Sequence, residues 1–120
     1  VSAVPNHQVM RTTSIDTRAN VAYFGTFGYE LDLNQIPEED FAKVKQQVAF
    51  MKEHRKLIQM EGEFFRIKSP FDANDAAWMV VSADKRQALF AYYQYLMGPN
   101  PPFLRVQMQG LQEDLLYTVT

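Results

Sequence analysis

From Pro37 the apolar residues of this chain fall into a helical rhythm, which gives way to strict alternation near residue 60. Phe41, Val44, Val48, Met51 and Ile58 stand three, four or seven apart, which puts them on one face of an α-helix over residues 38–58. Pro37 suits the first turn, and Glu38, Glu39 and Asp40 suit the positive end of the helix dipole. Lys52, His54, Arg55 and Lys56 crowd the opposite end, where cations are favoured. Beyond Glu61-Gly62, Phe65 and Ile67 alternate with Phe64, Arg66 and Lys68, the period of a strand. "AAWMVVS" (76–82) and "QALFAYYQYL" (87–96) are apolar at successive positions, as strands covered on both faces are, and "ADKR" turns between them. "GPNPP" (98–102) excludes helix and central strand, because proline has no ladder donor. Leu104, Val106 and Met108 then alternate with Arg105, Gln107 and Gln109, and "GLQED" turns into "LLYTVT". About five antiparallel strands are predicted here, forming a small β-sandwich or folded sheet.

Ahead of the helix the texture is loop and short strand. Val1 to Val4, "NVAYFG" (20–25) and "YELDL" (29–33) are β-prone, the last two separated by Gly25 and Gly28. Strand, loop, strand, amphipathic helix and then an antiparallel unit form an α+β order. It reads like the tail of a β/α barrel followed by an accessory β domain.

Composition narrows the partners more than the chemistry. With 120 residues, 47 % of them hydrophobic and 22 % charged, the chain has globular composition. A net charge of -2 offers no electrostatic case for nucleic acid or an anionic membrane, and no apolar run approaches the roughly 20 residues of a membrane span. Cysteine is absent, which removes disulfide and thiolate chemistry and fits a cytoplasmic setting. There is no initiator Met, and the first strand-like run stops at Pro5. The expectation is therefore a fragment whose larger part lies upstream of Val1.

Each candidate for chemistry has a plainer reading beside it. Glu30 and Asp32 would share one face of a strand, where two carboxylates can serve acid–base work, but capping of the next loop is the preferred reading. His7 and His54 are too few and too distant for a metal site. "DAND" (72–75) lacks the spaced acids of a calcium loop and reads as a turn. Ser2, Ser14 and Ser82 have no nucleophile-elbow context, and no phosphate-cradling glycine loop is present. Trp78 with Tyr92, Tyr93 and Tyr95 could stack on a sugar, but aromatic residues in such strands are expected in the core. No catalytic, cofactor-binding or metal-ligating residue is assigned, and no cofactor is expected.

"VSAVPNHQV", "TRANVAYFGTFGYELDL", "FMKEHRKLIQ" and "SPFDANDAAWMVVSADKRQAL", with "PNPPF" and "GLQEDLLY" near the end, together resemble the C-terminal portion of the bacterial α-galactosidases, or melibiases, of glycoside hydrolase family 36. The resemblance runs over nearly the whole chain in order. It implies that residues 1–60 close a catalytic (β/α)8 barrel, supplying its last strands and last helix. Residues 61–120 would then be the C-terminal antiparallel β domain. The family's retaining chemistry uses one Asp as nucleophile and another as acid. Both motifs would precede Val1, so the piece is expected to be non-catalytic alone. Expected partners are α-galactoside sugars through the whole enzyme, the rest of the same polypeptide and further copies in a homo-oligomer, with no nucleic acid and no membrane. The alternative is a non-catalytic carbohydrate-binding or subunit-association module. Asn6 or His7, following a barrel strand, would sit at the edge of the pocket if not in a purely structural loop. The family often has Gly at the position of Met10, and Ser near the helix start where this chain has Pro37.

Overall fold

The computed structural model describes residues 1–120, which divide into two compact units, Val1–Gln59 and Met60–Thr120. The fold is α+β, with two α-helices and one three-stranded antiparallel sheet.

The first unit opens with a correction. The β-prone segment 20–25 is not a strand, because helix α1 (Ile15–Ala22) occupies most of it. Ser14 caps this helix by accepting a hydrogen bond from the Thr17 amide at 3.2 Å, and Asp16 lies in its first turn. Ile15, Ala19 and Tyr23 are all buried and spaced by four, a helical stripe that outweighs the local β preference of Val21, Tyr23 and Phe24. Segments 1–4 and 29–33 form no extended strands. They meet at one parallel bridge between Ser2 and Glu30, where the Ala3 amide donates to Glu30 at 3.2 Å and the Glu30 amide to Val1 at 2.9 Å.

Helix α2 (Glu38–Arg55) begins where its acids predict, with Pro37 at the cap. It then passes into a π-helical turn, Lys56–Glu61, instead of running as α-helix to residue 58. The expected stripe is only partly the buried one. Val44 and Met51 are buried and Val48 half-buried, while Phe41 stays exposed. Met51 packs with Ala19 and Tyr23, and Phe24, Phe27, Phe50 and Ile58 close around them. The rings of Tyr23 and Phe50 lie 4.7 Å apart and those of Tyr23 and Phe27 5.1 Å, within the favourable range for aromatic pairs.

Asn6 builds the loop that precedes α1. Its side-chain oxygen accepts from the amides of Gln8 and Val9 at 3.0 and 3.2 Å, and its backbone pairs with Met10 and Arg11. Met10 closes this loop with φ at 54°. That left-handed conformation is unfavourable for a residue with a Cβ and free for glycine. Met10→Gly is therefore expected to stabilise the unit by up to about 1 kcal/mol, net of glycine's larger chain entropy. Thermal melts of the two chains check it.

The second unit holds β1 (Glu63–Lys68), β2 (Asp75–Val81) and β3 (Ala88–Gln94) in the order β1-β2-β3. β2 pairs with β3 without a break from Asp75↔Gln94 to Val81↔Ala88, whereas its pairing with β1 slips between Arg66 and Lys68. The doubly covered strand of the sequence pattern is β2, buried at every position except a half-buried Trp78. β3 departs from expectation: none of its residues is fully buried, and Ala88, Phe90 and Gln94 are exposed, as suits an edge strand.

The five-strand sandwich is likewise replaced by three strands in one sheet. Residues 104–109 and 115–120 alternate in polarity but join no ladder. The reason lies in where their backbone and side chains go. The Gln109 amide donates to Met79 Sδ at 3.3 Å, and the Tyr117 hydroxyl donates to Lys85 O at 2.6 Å while accepting from the Gln112 amide. Gly110 lies directly on the ring of Phe65. The tail crosses a face of the sheet and so never reaches an edge. Alternation marks an extended chain with two unlike faces; it does not guarantee a hydrogen-bonded neighbour.

Candidate functional site

The polar centre of the first unit is a chain of hydrogen bonds through Gln47, a buried residue of α2. Tyr29 donates its hydroxyl to Gln47 Oε1 at 2.8 Å, and Gln47 Nε2 donates to Asp16 Oδ1 at 3.0 Å. Asp16 in turn pairs with Lys43 at 3.3 Å. Burial pushes the Tyr29 phenol up to about 12, so at neutral pH it acts as a donor. The network ties α1, α2 and the segment after Gly28 into one arrangement. Lys43 also reaches Asp40 at 3.6 Å, and Arg18 holds the loop ahead of α1 through Thr13 O at 2.9 Å and through Ser2 O.

Beside this network runs a groove of about 350 Å³, lined among others by Phe27, Tyr29, Val48, Lys52, Arg55 and Gln59. Gln59, one of the lining residues, donates its Nε2 to Gly25 O at 2.8 Å. Its lining combines the apolar Phe27, Val48 and Met51 with the cationic Lys52 and Arg55. No carboxylate lines it, so the groove holds no acid–base pair.

The residues singled out in the sequence are scattered. Asp32 is a loop cap: its carboxylate accepts from the Asn34 amide at 2.9 Å, from the Asn34 side chain at 3.0 Å and from Gln35 at 2.8 Å. Those donors, the Asn34 amide foremost, hold its carboxyl below the usual range. Glu30 is engaged through its backbone in the bridge to Ser2, and no strand aligns it with Asp32. His7 is exposed in the Asn6 loop, and the ring of His54 lies tilted against that of Phe50 with centroids 4.4 Å apart. No three acidic or histidine side chains gather where a metal ion would need them. The aromatic set divides. Trp78 leans on Tyr93 at 4.9 Å, Tyr95 donates to Pro70 O at 2.6 Å and to Ala73 O, and Tyr92 donates to Asp75 at 2.9 Å. These rings form no common platform. Trp78 itself is half-buried, short of the full core position expected for it.

Within "DAND", Asp75 is the residue of consequence. It starts β2, is buried, and accepts from Lys68 Nζ at 2.5 Å as well as from Tyr92. The Lys68 contact chiefly holds its carboxyl below the ordinary value. A depressed folded-state pKa adds stability at any pH above the unfolded value of about 3.9, and that part is lost as acid protonates the folded carboxylate. Asp84, held low mainly by the Ser82 hydroxyl, acts in the same sense. Denaturation midpoints should thus stay level toward pH 5 and fall below about pH 4. Asp75→Asn should flatten part of that acid limb; an unchanged limb would show the contact has no such effect.

Sequence reasoning did not find Gln47, Tyr29 or Asp16. Gln47 sits among apolar stripe positions of α2, and a polar residue facing inward was the available signal.

Two family models match. The melibiase model covers residues 1–61, and the model of the glycosyl hydrolase family 36 C-terminal domain covers residues 75–120. α-Galactosidase AgaA of Geobacillus stearothermophilus is 49 % identical over 119 residues, 99 % of this chain and 16 % of that protein. α-Galactosidase 1 of Pediococcus pentosaceus is 42 % identical over 98 % of this chain, again 16 % of its own length. The crystal structure of AgaA superposes with a TM-score of 0.89 over 93 % of this chain at 51 % identity, and structures of AgaA variants hold stachyose or raffinose. The chain thus spans about a sixth of the length of these relatives (16 %). With its first half covered by one of the two models and its second half by the other, the chain belongs to the melibiase family of glycosyl hydrolases.

Proposed function

We propose that this chain is the C-terminal part of a retaining α-galactosidase that removes terminal α-D-galactosyl residues from melibiose- and raffinose-type sugars. The observation that carries the reading is the 49 % identity to a named α-galactosidase across 99 % of the chain. On this reading residues 1–60 supply the end of the (β/α)8 barrel and residues 61–120 the C-terminal β domain. Its support in the first unit is the isolated parallel bridge Ser2–Glu30 with α1 between its two sides and α2 after it, an order compatible with the end of a barrel. The nucleophile and the acid lie in the rest of the polypeptide. What this chain offers is the scaffold: the Tyr29–Gln47–Asp16 network holds the last helix against the end of the barrel. Asn6 Oδ1 is taken up by its own loop, and the exposed His7 beside it is the residue better placed to reach a sugar at the pocket edge.

Exposed apolar side chains such as Phe71 and Leu116 support association into a homo-oligomer, and the cysteine-free sequence suits the cytoplasm. No helix is long and apolar enough to cross a membrane.

The test is an aryl α-galactoside assay on the chain alone and on the complete polypeptide. The chain alone should release no phenol above blank, and the complete polypeptide should release it with retention at the anomeric carbon. Turnover by the chain alone, abolished by a substitution within it, would overturn the assignment.

A further inference from the structure

The loop between the Ser2 bridge and helix α1 is fastened twice. At its stem Arg18 of α1 reaches back: Nε donates to Thr13 O at 2.9 Å and to Ser14 O at 3.3 Å, and Nη1 donates to Ser2 O. One guanidinium thus joins the residue before the loop to the residues after it. At the tip the Asn6 amide donates to Arg11 O at 2.9 Å and the Met10 amide to Asn6 O at 2.7 Å, while Asn6 Oδ1 holds the Gln8 and Val9 amides. All of these bonds lie within residues 2–18, so this chain sets the loop's shape by itself. Arg18 is half-buried, yet it gives its donors to carbonyl oxygens and not to a carboxylate. A planar fork of donors can hold two carbonyls at a fixed separation, which one ammonium cannot. Residues 3–12 put no buried side chain into the unit, so packing does not account for the fastening.

We infer that Arg18 is a positioning residue of the sugar site: by fixing both ends of the loop it sets His7 against the leaving sugar. The inference rests on the α-galactosidase reading above and goes beyond it to a residue and to the part of the substrate it serves. The loop runs from a parallel bridge into a helix, and in β/α barrels such loops build the active face. His7 lies in the turn that Asn6 fastens, beyond the end of the bridged segment. A terminal galactosyl residue enters a pocket first, so a group at that height meets what is attached to it. Imidazole can donate to one sugar hydroxyl and accept from another. Holding the ring in place beforehand removes the cost of ordering the loop from binding.

The experiment uses the complete polypeptide with melibiose, whose leaving sugar carries hydroxyls, and with an aryl α-galactoside, whose leaving group is no sugar. Arg18→Gln should raise KM for melibiose roughly tenfold, the worth of about one hydrogen bond, with kcat nearly unchanged and little effect on the aryl substrate. His7→Ala should do the same, and the double variant should be no worse than the more affected single one, because both remove the same contact. Arg18→Lys keeps the charge but not the fork, so it should show a smaller loss on the same substrate. Equal losses on both substrates, a fall in kcat with KM unchanged, or single effects that multiply in the double variant would each overturn the inference. So would melting curves showing that neither Arg18 variant folds, since Arg18 would then be a general support of α1. Turnover of both galactosides by the unaltered enzyme reports on the function separately, so an active enzyme with multiplying losses removes only the role of Arg18.

Discussion

Met79→Ala is expected to cost about 2–5 kcal/mol, the usual range for truncating a large buried aliphatic side chain. Met79 is only 1 % exposed, in the middle of the one strand covered on both faces. It pairs with Phe65 of β1 and Phe90 of β3, and its sulfur accepts the Gln109 amide. Truncation would therefore leave a cavity between two rings and an unpartnered amide in the tail. Domains are stable by only about 5–15 kcal/mol, so this is a large share of the total. Urea denaturation followed by tyrosine and tryptophan fluorescence would read the midpoint. A loss below about 1 kcal/mol would show that the sheet collapses around the gap or that the face is not a core.

The second large effect belongs to Gly110. Its φ of 73° lies in the left-handed region, and a Cβ there would meet the Phe65 ring at 2.3 Å. Gly110→Val should cost about 2–5 kcal/mol, combining the conformational penalty with overpacking against the ring. The two parts separate in a double-mutant cycle: shortening the ring with Phe65→Leu should recover the packing part and leave the backbone part. Gly98→Ala is the control, since nothing lies within 4 Å of its would-be Cβ. Equal effects at the two glycines would mean the tail does not rest on the sheet.

How much of this was legible beforehand differs by element. Helix α2 was readable because its signals are local and agree: acids at the start, bases at the end and apolar residues at helical spacing. β2 was readable because a run as apolar as residues 76–81 has nowhere to go but a doubly covered strand. The turn between β2 and β3 followed from "ADKR", although not that Lys85 would adopt a φ of 59°. α1 was missed because Val21, Tyr23 and Phe24 speak for a strand one residue at a time. The decisive stripe of Ile15, Ala19 and Tyr23 only gains meaning once Met51 is beside it.

By itself the sequence determined the α+β class, the long helix, the central strand and, through its resemblance, the family. All of these rest on patterns within short windows or on order along the chain. Tertiary structure alone decided the rest. It withheld two ladder strands by laying the tail across Met79 and Phe65, and it turned Asp32 into a cap and Asp75 into the partner of Lys68. It also brought Asp16, Tyr29 and Gln47 together across up to 31 residues of chain. Hydrogen-bond partners and left-handed glycine contacts depend on which distant backbone arrives nearby, and no local periodicity carries that information.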